Sequence, residues 1–368
     1  DGTRDIDGEV KIKDAQFETG VLPKMVSKED IFAKVSGSSV NAVINSFETG
    51  RTKLSGKIYM PDIARHDLNF TIAAQYLDVD DLYPLQEKRK FIPTGSGSIT
   101  VKNGRFLNLD IESFRADVLM GKEGITLKPM TFINNQGIVS GGLIYYMDTA
   151  SGDKPLFFAD FKIDGWDAEK ILKDIGAKEK IVSGRVNASF ELTAKRGRED
   201  ILGGLNGYGK AESKDGILWR FVLMSKIFSI VNIISINELL SEGLPYRELK
   251  GNFIIKDGVL STEDLTLDSS SMRMSAIGSI NMAKRTVDAK LGLHPFVTVD
   301  SIITKIPLAG WIIGGKEKST LSMYYEVKGN LNNPDVEAVP VKSIGSGILG
   351  IFQRILEAPL EIIKPLIK

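Results

Sequence analysis

The stretch GLNGYGKAESKDGIL, residues 204–218, admits two incompatible readings, and the choice between them decides the fold. Gly204, a four-residue gap, Gly209 and Lys210 have the spacing of a phosphate-binding loop, but Ala211 stands where such a loop carries Ser or Thr. A phosphate loop also needs a helix running on from its lysine. Here the chain instead leads into Asp215-Gly216, a dipeptide that marks a tight β-turn because both residues tolerate positive φ.

Repetition favours the turn. GEVKIKDAQF (8–17), GSITVKNGRF (97–106), GKAESKDGIL (209–218) and GNFIIKDGVL (251–260) share one frame. Gly stands first, Lys sixth, Asp or Asn seventh and Phe or Leu tenth, with Gly eighth in three copies and Ala15 in the other. The frame predicts four hairpins, turning at Asp14-Ala15, Asn103-Gly104, Asp215-Gly216 and Asp257-Gly258, and it removes nucleotide from the partners. A longer period encloses it: Gly8, Gly97 and Gly184 open similar strands at intervals of 89 and 87 residues. Two units close alike, AQYLDVDDLYPL (74–85) and ADFKIDGWDAEKIL (159–172), each a strand, an Asp-rich cap at Asp78 or Asp164, and a short helix. Such repetition favours an elongated stack over a globule.

The strands alternate cleanly. In MRMSAIGSINM (272–282), Met272, Met274, Ala276, Ile280 and Met282 face one way, while Arg273, Ser275, Ser279 and Asn281 face the other. Val287, Ala289, Leu291 and Leu293 oppose Asp288 and Lys290. Leu321, Met323, Tyr325 and Val327 oppose Ser322, Glu326 and Lys328, and Val186, Ala188, Phe190 and Leu192 oppose Arg185, Asn187 and Glu191. Roughly sixteen such strands predict a mainly β, antiparallel architecture with one apolar and one wet face. The helix candidates are few: 31–35, 80–85, 166–175, 218–240, 299–306 and 343–367. Either the sheet folds over itself as a sandwich or it forms a half-open hydrophobic trough. The apolar helix 218–240, with Leu223, Ile227, Ile230, Val231 and Ile234 on one side, is core or a lid over that trough. The C-terminal segment 343–367 is amphipathic, Ile348, Ile351, Phe352, Ile355 and Leu356 opposing Glu357, Glu361, Lys364 and Lys368, with a break expected near Pro359.

Composition excludes several functions. Forty-seven basic residues balance forty-seven acidic ones, so no net field attracts nucleic acid. The absence of cysteine removes disulfides, thiolate metal sites and cysteine nucleophiles. His66 and His294 are the only histidines, and neither a Gly-x-Ser-x-Gly elbow nor a His-Glu-x-x-His motif is present, so no catalytic site, cofactor or metal is expected. Asp78, Asp80 and Asp81 read as a helix cap with a solvated first turn rather than a metal cluster. The chain starts at Asp1 without a signal segment or a run of eighteen apolar residues, which suggests a piece of a longer protein.

The stretch GLPYRELKGNFIIKDGVLSTEDLTLDSSSMRMSAIGSINMAKRTVDAKLGLHP (243–295) resembles the C-terminal region of the AsmA family of bacterial envelope proteins. VDSIITKIPLAGWIIGG (299–315) and YYEVKGNLNNPDVEAVPVKSIGSGILGIFQRILEAP (324–359) continue it in order, and residues 1–203 are similar to the family's repeated β-region. The resemblance divides the chain into β-groove units over 1–203 and an AsmA-like C-terminal region over 204–368. It implies an elongated, strongly curved sheet forming a hydrophobic groove, with helices at the groove and at the C-terminus. The AsmA, TamB and YhdP group resembles bridge-like lipid-transfer proteins, so the implied function is periplasmic conduction of phospholipid between inner and outer membranes. The implied partners are phospholipid, the inner membrane and the outer membrane or proteins embedded in them, with an N-terminal inner-membrane anchor outside this chain. On that reading Met272, Met274, Ile280, Met282, Val287, Leu291, Leu293, Leu321, Met323, Tyr325, Val186 and Phe190 line the groove. Leu223, Ile227, Ile230 and Ile234 form a lid, and Ile351, Phe352 and Ile355 anchor the C-terminal helix. The alternative is a non-enzymatic envelope scaffold that aids outer-membrane protein assembly.

Overall fold

The computed structural model describes residues 7–16, 24–81, 94–106, 109–134, 137–146, 155–174, 180–195, 200–219, 226, 243–295 and 322–356. The chain forms two compact units, Asp1–Trp166 and Asp167–Lys368. This boundary follows contacts in space, whereas the 203/204 division followed sequence likeness. The architecture is mainly β: among the described residues there are twenty strands, four more than the alternation suggested, and two α-helices.

In the first unit β1 (Asp7–Lys13), β2 (Val26–Ser36), β3 (Ser39–Thr49), β4 (Thr52–Met60) and β5 (Asp67–Asp78) form an antiparallel meander. The segment 31–35, expected to be helical, lies in β2, because Ile31, Ala33 and Val35 repeat with period two. The meander then breaks. β6 (Thr94–Val101) runs parallel to β5, from Asp67↔Thr94 to Ala74↔Val101, so the sheet is mixed where a purely antiparallel one was expected. The fifteen residues between Asp78 and Thr94 are long enough for the crossover that a parallel pair requires. Short β7 (Gly104–Phe106) keeps the register of β6 against β5, and β8 (Leu109–Ile111) and β9 (Ser113–Gly121) return along both in one register. β10 (Gly124–Asn134), β11 (Gly137–Tyr146) and β12 (Phe157–Asp167) complete the unit in antiparallel order.

The second unit begins with α1 (Ala168–Asp174). β13 (Arg185–Ala194), β14 (Leu205–Leu218), β15 (Leu244–Lys256), β16 (Val259–Asp268), β17 (Met272–Asn281), β18 (Thr286–Pro295), β19 (Met323–Asn330) and β20 (Asp335–Ala338) each pair antiparallel with the next. A last helix, α2 (Ser346–Leu356), follows. Among the described residues β1 pairs only with β2 and β20 only with β19, so both present an open edge.

The repeated frame marks a backbone conformation, and only one copy turns. Asp14, Asp215 and Asp257 all have left-handed φ, between 48° and 56°. Asp257-Gly258 is the tight turn expected, with Lys256 paired to Val259. Asp215-Gly216 lies inside β14: Lys214 pairs with Arg185 but Leu218 bridges Val182, so one extra residue is accommodated there as a bulge. At Asp14 the N–H still donates to Glu29 O at 2.9 Å, extending the β1–β2 ladder. Asn103-Gly104 only separates β6 from β7, and the reversal comes between the paired Phe106 and Leu109. Lys210 sits in mid-strand, opposite Ser189 and Asn252, without a following helix, which closes the phosphate-loop reading.

Asp167, rather than Asp164, caps α1: its Oδ1 accepts the Lys170 N–H at 3.1 Å, while Asp164 lies in β12 opposite Ile138. After Asp78 the described chain makes one 3₁₀ turn, Val79–Asp81. The proposed helix 218–240 falls outside the described residues apart from Leu218, which is in β14, Trp219, and Lys226. The helix 299–306 lies wholly outside them. Of segment 343–367, the structure describes the end of a 3₁₀ turn (Val341–Ser343) and α2, but neither residues 357–367 nor the expected break at Pro359.

Candidate functional site

Residues directly paired across neighbouring strands lie on the same face of a sheet, so the ladder registers can be followed from strand to strand as rows. In the first unit one row reads Val10, Ala33, Ala42, Ile58, Phe70, Gly97, Val118, Leu127, Leu143, Ala159, from β1 to β12. The next reads Ile12, Ile31, Ile44, Gly56, Ile72, Ile99, Ala116, Met130, Gly141, Phe161. A third, beginning at Glu29, continues Phe47, Leu54, Ala74, Val101, Phe114, Phe132, Val139, Ile163. Glu29 is the only residue in these rows that is neither apolar nor glycine. At about 4.8 Å per strand, each row of ten spans on the order of 43 Å.

The opposite face reads Lys11, Phe32, Val43, Lys57, Thr71, Ser98, Asp117 along the equivalent row. Burial follows the same division: along β5, Asp67, Asn69, Thr71 and Ala73 are exposed, while Leu68, Phe70 and Ile72 are half-buried and Ala74 is buried. Two shallow depressions of about 410 and 460 Å³ lie around Ser96 and Thr71, with mixed linings that include Asn41, Ser98, Lys57 and Asp117 beside Phe70, Ile58 and Leu119. Phe70 on the apolar face lies flat across its neighbour: a Cβ on Gly97 would fall 2.6 Å from its ring. Phe190 covers Gly209 in the same way in the second unit, at 2.2 Å. Glycine opposite an aromatic thus keeps the ring down on the sheet and the apolar floor low.

In the second unit Val186, Ser213, Leu249, Leu267, Met274, Leu293 and Met323 form one row, and Leu192, Gly207, Ile255, Leu260, Ile280, Val287 and Gly329 another. Leu291, paired with Ala276 and Tyr325, belongs to the same face, as does Phe190, paired with Gly209. Met272 opens β17 opposite Pro295. Met282 lies just past β17, its N–H donating to Gly258 O, and Leu321 is outside the described residues. So are Leu223, Ile227, Ile230 and Ile234. Burial along this face is graded. Met272, Met274, Leu291, Leu293 and Tyr325 belong to a closed cluster with Leu244, Tyr246 and Leu267, whereas Ile280, Val287, Val186 and Phe190 are half-buried. Burial also pushes the Tyr325 hydroxyl pKa upward.

The face expected to be wet is not uniformly so. Arg273, Ser275, His294 and Ser322 are all buried. Arg273 Nε lies 3.5 Å from Asp268, which also takes Arg247 at 2.7 Å, and His294 Nδ1 lies 3.1 Å from Ser322 Oγ. The last helix packs on this same face: α2 docks here and not over the apolar rows. Phe352, without exposed surface, packs on Tyr324 with ring centroids 5.4 Å apart, beside Ile344 and Ile277. Ser275 and Gly292, paired with each other, leave a seat of small residues next to Tyr324. Ile351 is half-buried, and the Ile355 side chain lies outside the description.

The acidic residues after β5 are occupied by protein. Asp81, fully buried, accepts Lys24 Nζ at 2.5 Å, the N–H groups of Arg51 and Thr52 at 2.7 and 2.9 Å, and the Thr52 hydroxyl at 3.1 Å. Asp78 binds the Arg51 guanidinium, and its Oδ1 accepts the Asp80 N–H at 3.1 Å. Burial works to raise the Asp81 pKa, but these hydrogen bonds, led by Lys24, outweigh it and hold the carboxyl below the ordinary value. This clasp ties the β3–β4 turn to the end of β5. Sequence reasoning saw the acids but not Lys24 and Arg51, whose separations of 57 and 27 residues carry no local signal.

No described helix is long and apolar enough to cross a membrane. No curated protein and no solved structure gives a significant match. The family model described as YhdP protein matches residues 29–336, from early in β2 into β20 and so across both apolar faces. The chain therefore belongs to the YhdP family, within the AsmA, TamB and YhdP group.

Proposed function

We propose that the chain is a periplasmic segment of an AsmA-like lipid conduit, whose apolar rows shield phospholipid acyl chains moving between the inner and outer membranes. The observation that carries this reading is the apolar face of the first unit, continuous from strand to strand and only half-buried at most positions. A monomeric protein rarely leaves so large a face partly open without something to put on it. Shielding is what the cargo requires: at about 0.8 kcal/mol per methylene, a sixteen-carbon chain left in water costs roughly 12 kcal/mol. Rows provide cover at every strand, so a chain can pass from one to the next without meeting water. Anchoring to the inner membrane by a preceding segment belongs to the same proposal. The chain purified from bacterial periplasm without detergent is expected to carry phospholipid detectable by mass spectrometry, and lipid-free protein would count against the conduit.

A second reading, a scaffold for outer-membrane protein assembly, draws on the closed cluster around Met274 and Leu293. Side chains packed to that degree make an ordinary core, and such a unit would offer partners its polar face and α2. Lipid bound along the first unit would rule out a purely structural role for the apolar rows.

A further inference from the structure

Glu29 stands at the end of a row that is otherwise apolar from Phe47 to Ile163, has no exposed surface, and has no hydrogen-bond partner at either carboxylate oxygen. An ionised carboxylate in that position is strongly unfavourable unless a cation reaches it. Two cations at this end of the strands are committed elsewhere: Lys24 holds Asp81 and Arg51 holds Asp78. Neither is therefore left to pair with Glu29. It also stands at the rim beside them. Its strand partner Phe47 is two residues from Thr49, which pairs with Val26 and whose hydroxyl donates to Lys24 O at 3.1 Å. Lys24 and Arg51 are each about half exposed, at 48% and 54%, and offer remaining donors to solvent. A divalent ion fits poorly, since no cluster of three acidic or histidine ligands occurs among the described residues.

We propose that Glu29 receives the ammonium group of an amine-bearing phospholipid headgroup, whose phosphate meets the outer donors of Lys24 and Arg51 while its acyl chains lie on the adjoining apolar rows. The proposal rests on the conduit reading and adds a headgroup preference to it. An unpartnered carboxylate favours a headgroup that brings an ammonium over one that brings only negative charge. No hydrogen bond holds the Glu29 carboxylate in its buried position, so opening the local packing to a headgroup forfeits none.

The test loads the purified chain from vesicles of equal parts phosphatidylethanolamine and phosphatidylglycerol, repurifies it without detergent and counts bound headgroups by mass spectrometry. One charge-assisted hydrogen bond made only to the amine corresponds to about a tenfold preference for phosphatidylethanolamine. Glu29→Gln, which keeps shape and removes charge, is expected to bring the ratio back to that of the vesicles, and Glu29→Leu to do the same. Thermal melting of both variants at or above the parent temperature establishes that they fold. An even ratio in the parent chain, or a preference that survives both substitutions, overturns the proposal and leaves the conduit intact. Failure of every form to take up lipid overturns both. Soluble phosphoethanolamine in excess is expected to leave the ratio unchanged, because it has no acyl chains for the rows to hold; competition by it would assign the site to a free amine and overturn the lipid assignment.

Discussion

Ile72 in β5 and Met274 in β17 occupy similar local patterns: each follows a polar residue and each lies on the apolar face of its unit. Their surroundings differ. Ile72 is half-buried beside its half-buried partners Gly56 and Ile99, at the margin of the cluster around Ala74 and Val101, whereas Met274 is 8% exposed within a closed cluster. Alternation therefore specifies which face a residue takes and says nothing of what covers that face. Covering is decided by long-range packing, which is why each apolar face is closed only in part, around Ala74 and Val101 in the first unit and around Met274 and Leu293 in the second.

The largest effect expected from this difference is at the closed cluster. Met274→Asp would bury an unpaired carboxylate beside Leu293, Leu267 and Tyr325 and cost about 4 kcal/mol or more. Ile72→Asp, where water can follow the charge, is expected to cost roughly 1–2 kcal/mol. Urea denaturation of the two variants checks this, and equal losses would erase the distinction between the regions.

Phe352→Ala comes next. Removing a ring without exposed surface from its place against Tyr324 and Ile344 is expected to cost about 3 kcal/mol and detach α2. Hydrogen exchange should quicken in α2 and uncover the buried Arg273 face while the β17–β18 ladder stays protected. Loss of that ladder would show α2 to be part of the core of the sheet.

In the first unit, Asp81→Ala removes the acceptor for Lys24, for two backbone N–H groups and for the Thr52 hydroxyl, with an expected loss of about 3 kcal/mol. The charge gives this clasp a pH dependence. Because the folded-state pKa of Asp81 is lowered, its contribution is complete above the ordinary carboxylate value of 3.8 and is lost as pH falls through the lowered one. Glu326 on the second unit's polar face is a smaller case. Hydrogen bonds from Lys290 and Lys328 bring its pKa from 4.5 to about 2, so its contribution disappears between those values. It is solvent-screened and worth under about 1 kcal/mol. Glu326→Gln should flatten the stability profile below pH 4.5 only slightly, and a larger change would mean that the pair is better buried than it is here.

These residues also show what sequence can carry. The apolar face was legible because period-two alternation is local, and each described strand residue named for it lies on that face. The polar face was misjudged at Arg273, which lies buried beside Asp268, and at Ser275, whose row includes the Tyr324 on which α2 docks from some seventy residues on; neither contact has a local signal. Left-handed aspartates were legible in Asp14, Asp215 and Asp257, but whether such a residue turns the chain or bulges a strand depends on what the partner strand does. The parallel pairing of β5 and β6 had only a faint signal, a long polar interval between two strands. Glu29 was passed over since one acid in a strand full of charges, VSKEDIFAKVS, looks like any other until the rows are followed across the sheet.

The most direct test places a photo-crosslinking side chain at position 72 or at position 71, adjacent in sequence and on opposite faces of β5, in cells with labelled phospholipid. Thr71 is exposed and Ile72 half-buried, so neither site is closed off and the two differ in which face of the sheet they sample. The conduit account predicts lipid adducts from position 72 and none from position 71. Adducts from neither position, or equally from both, would contradict it.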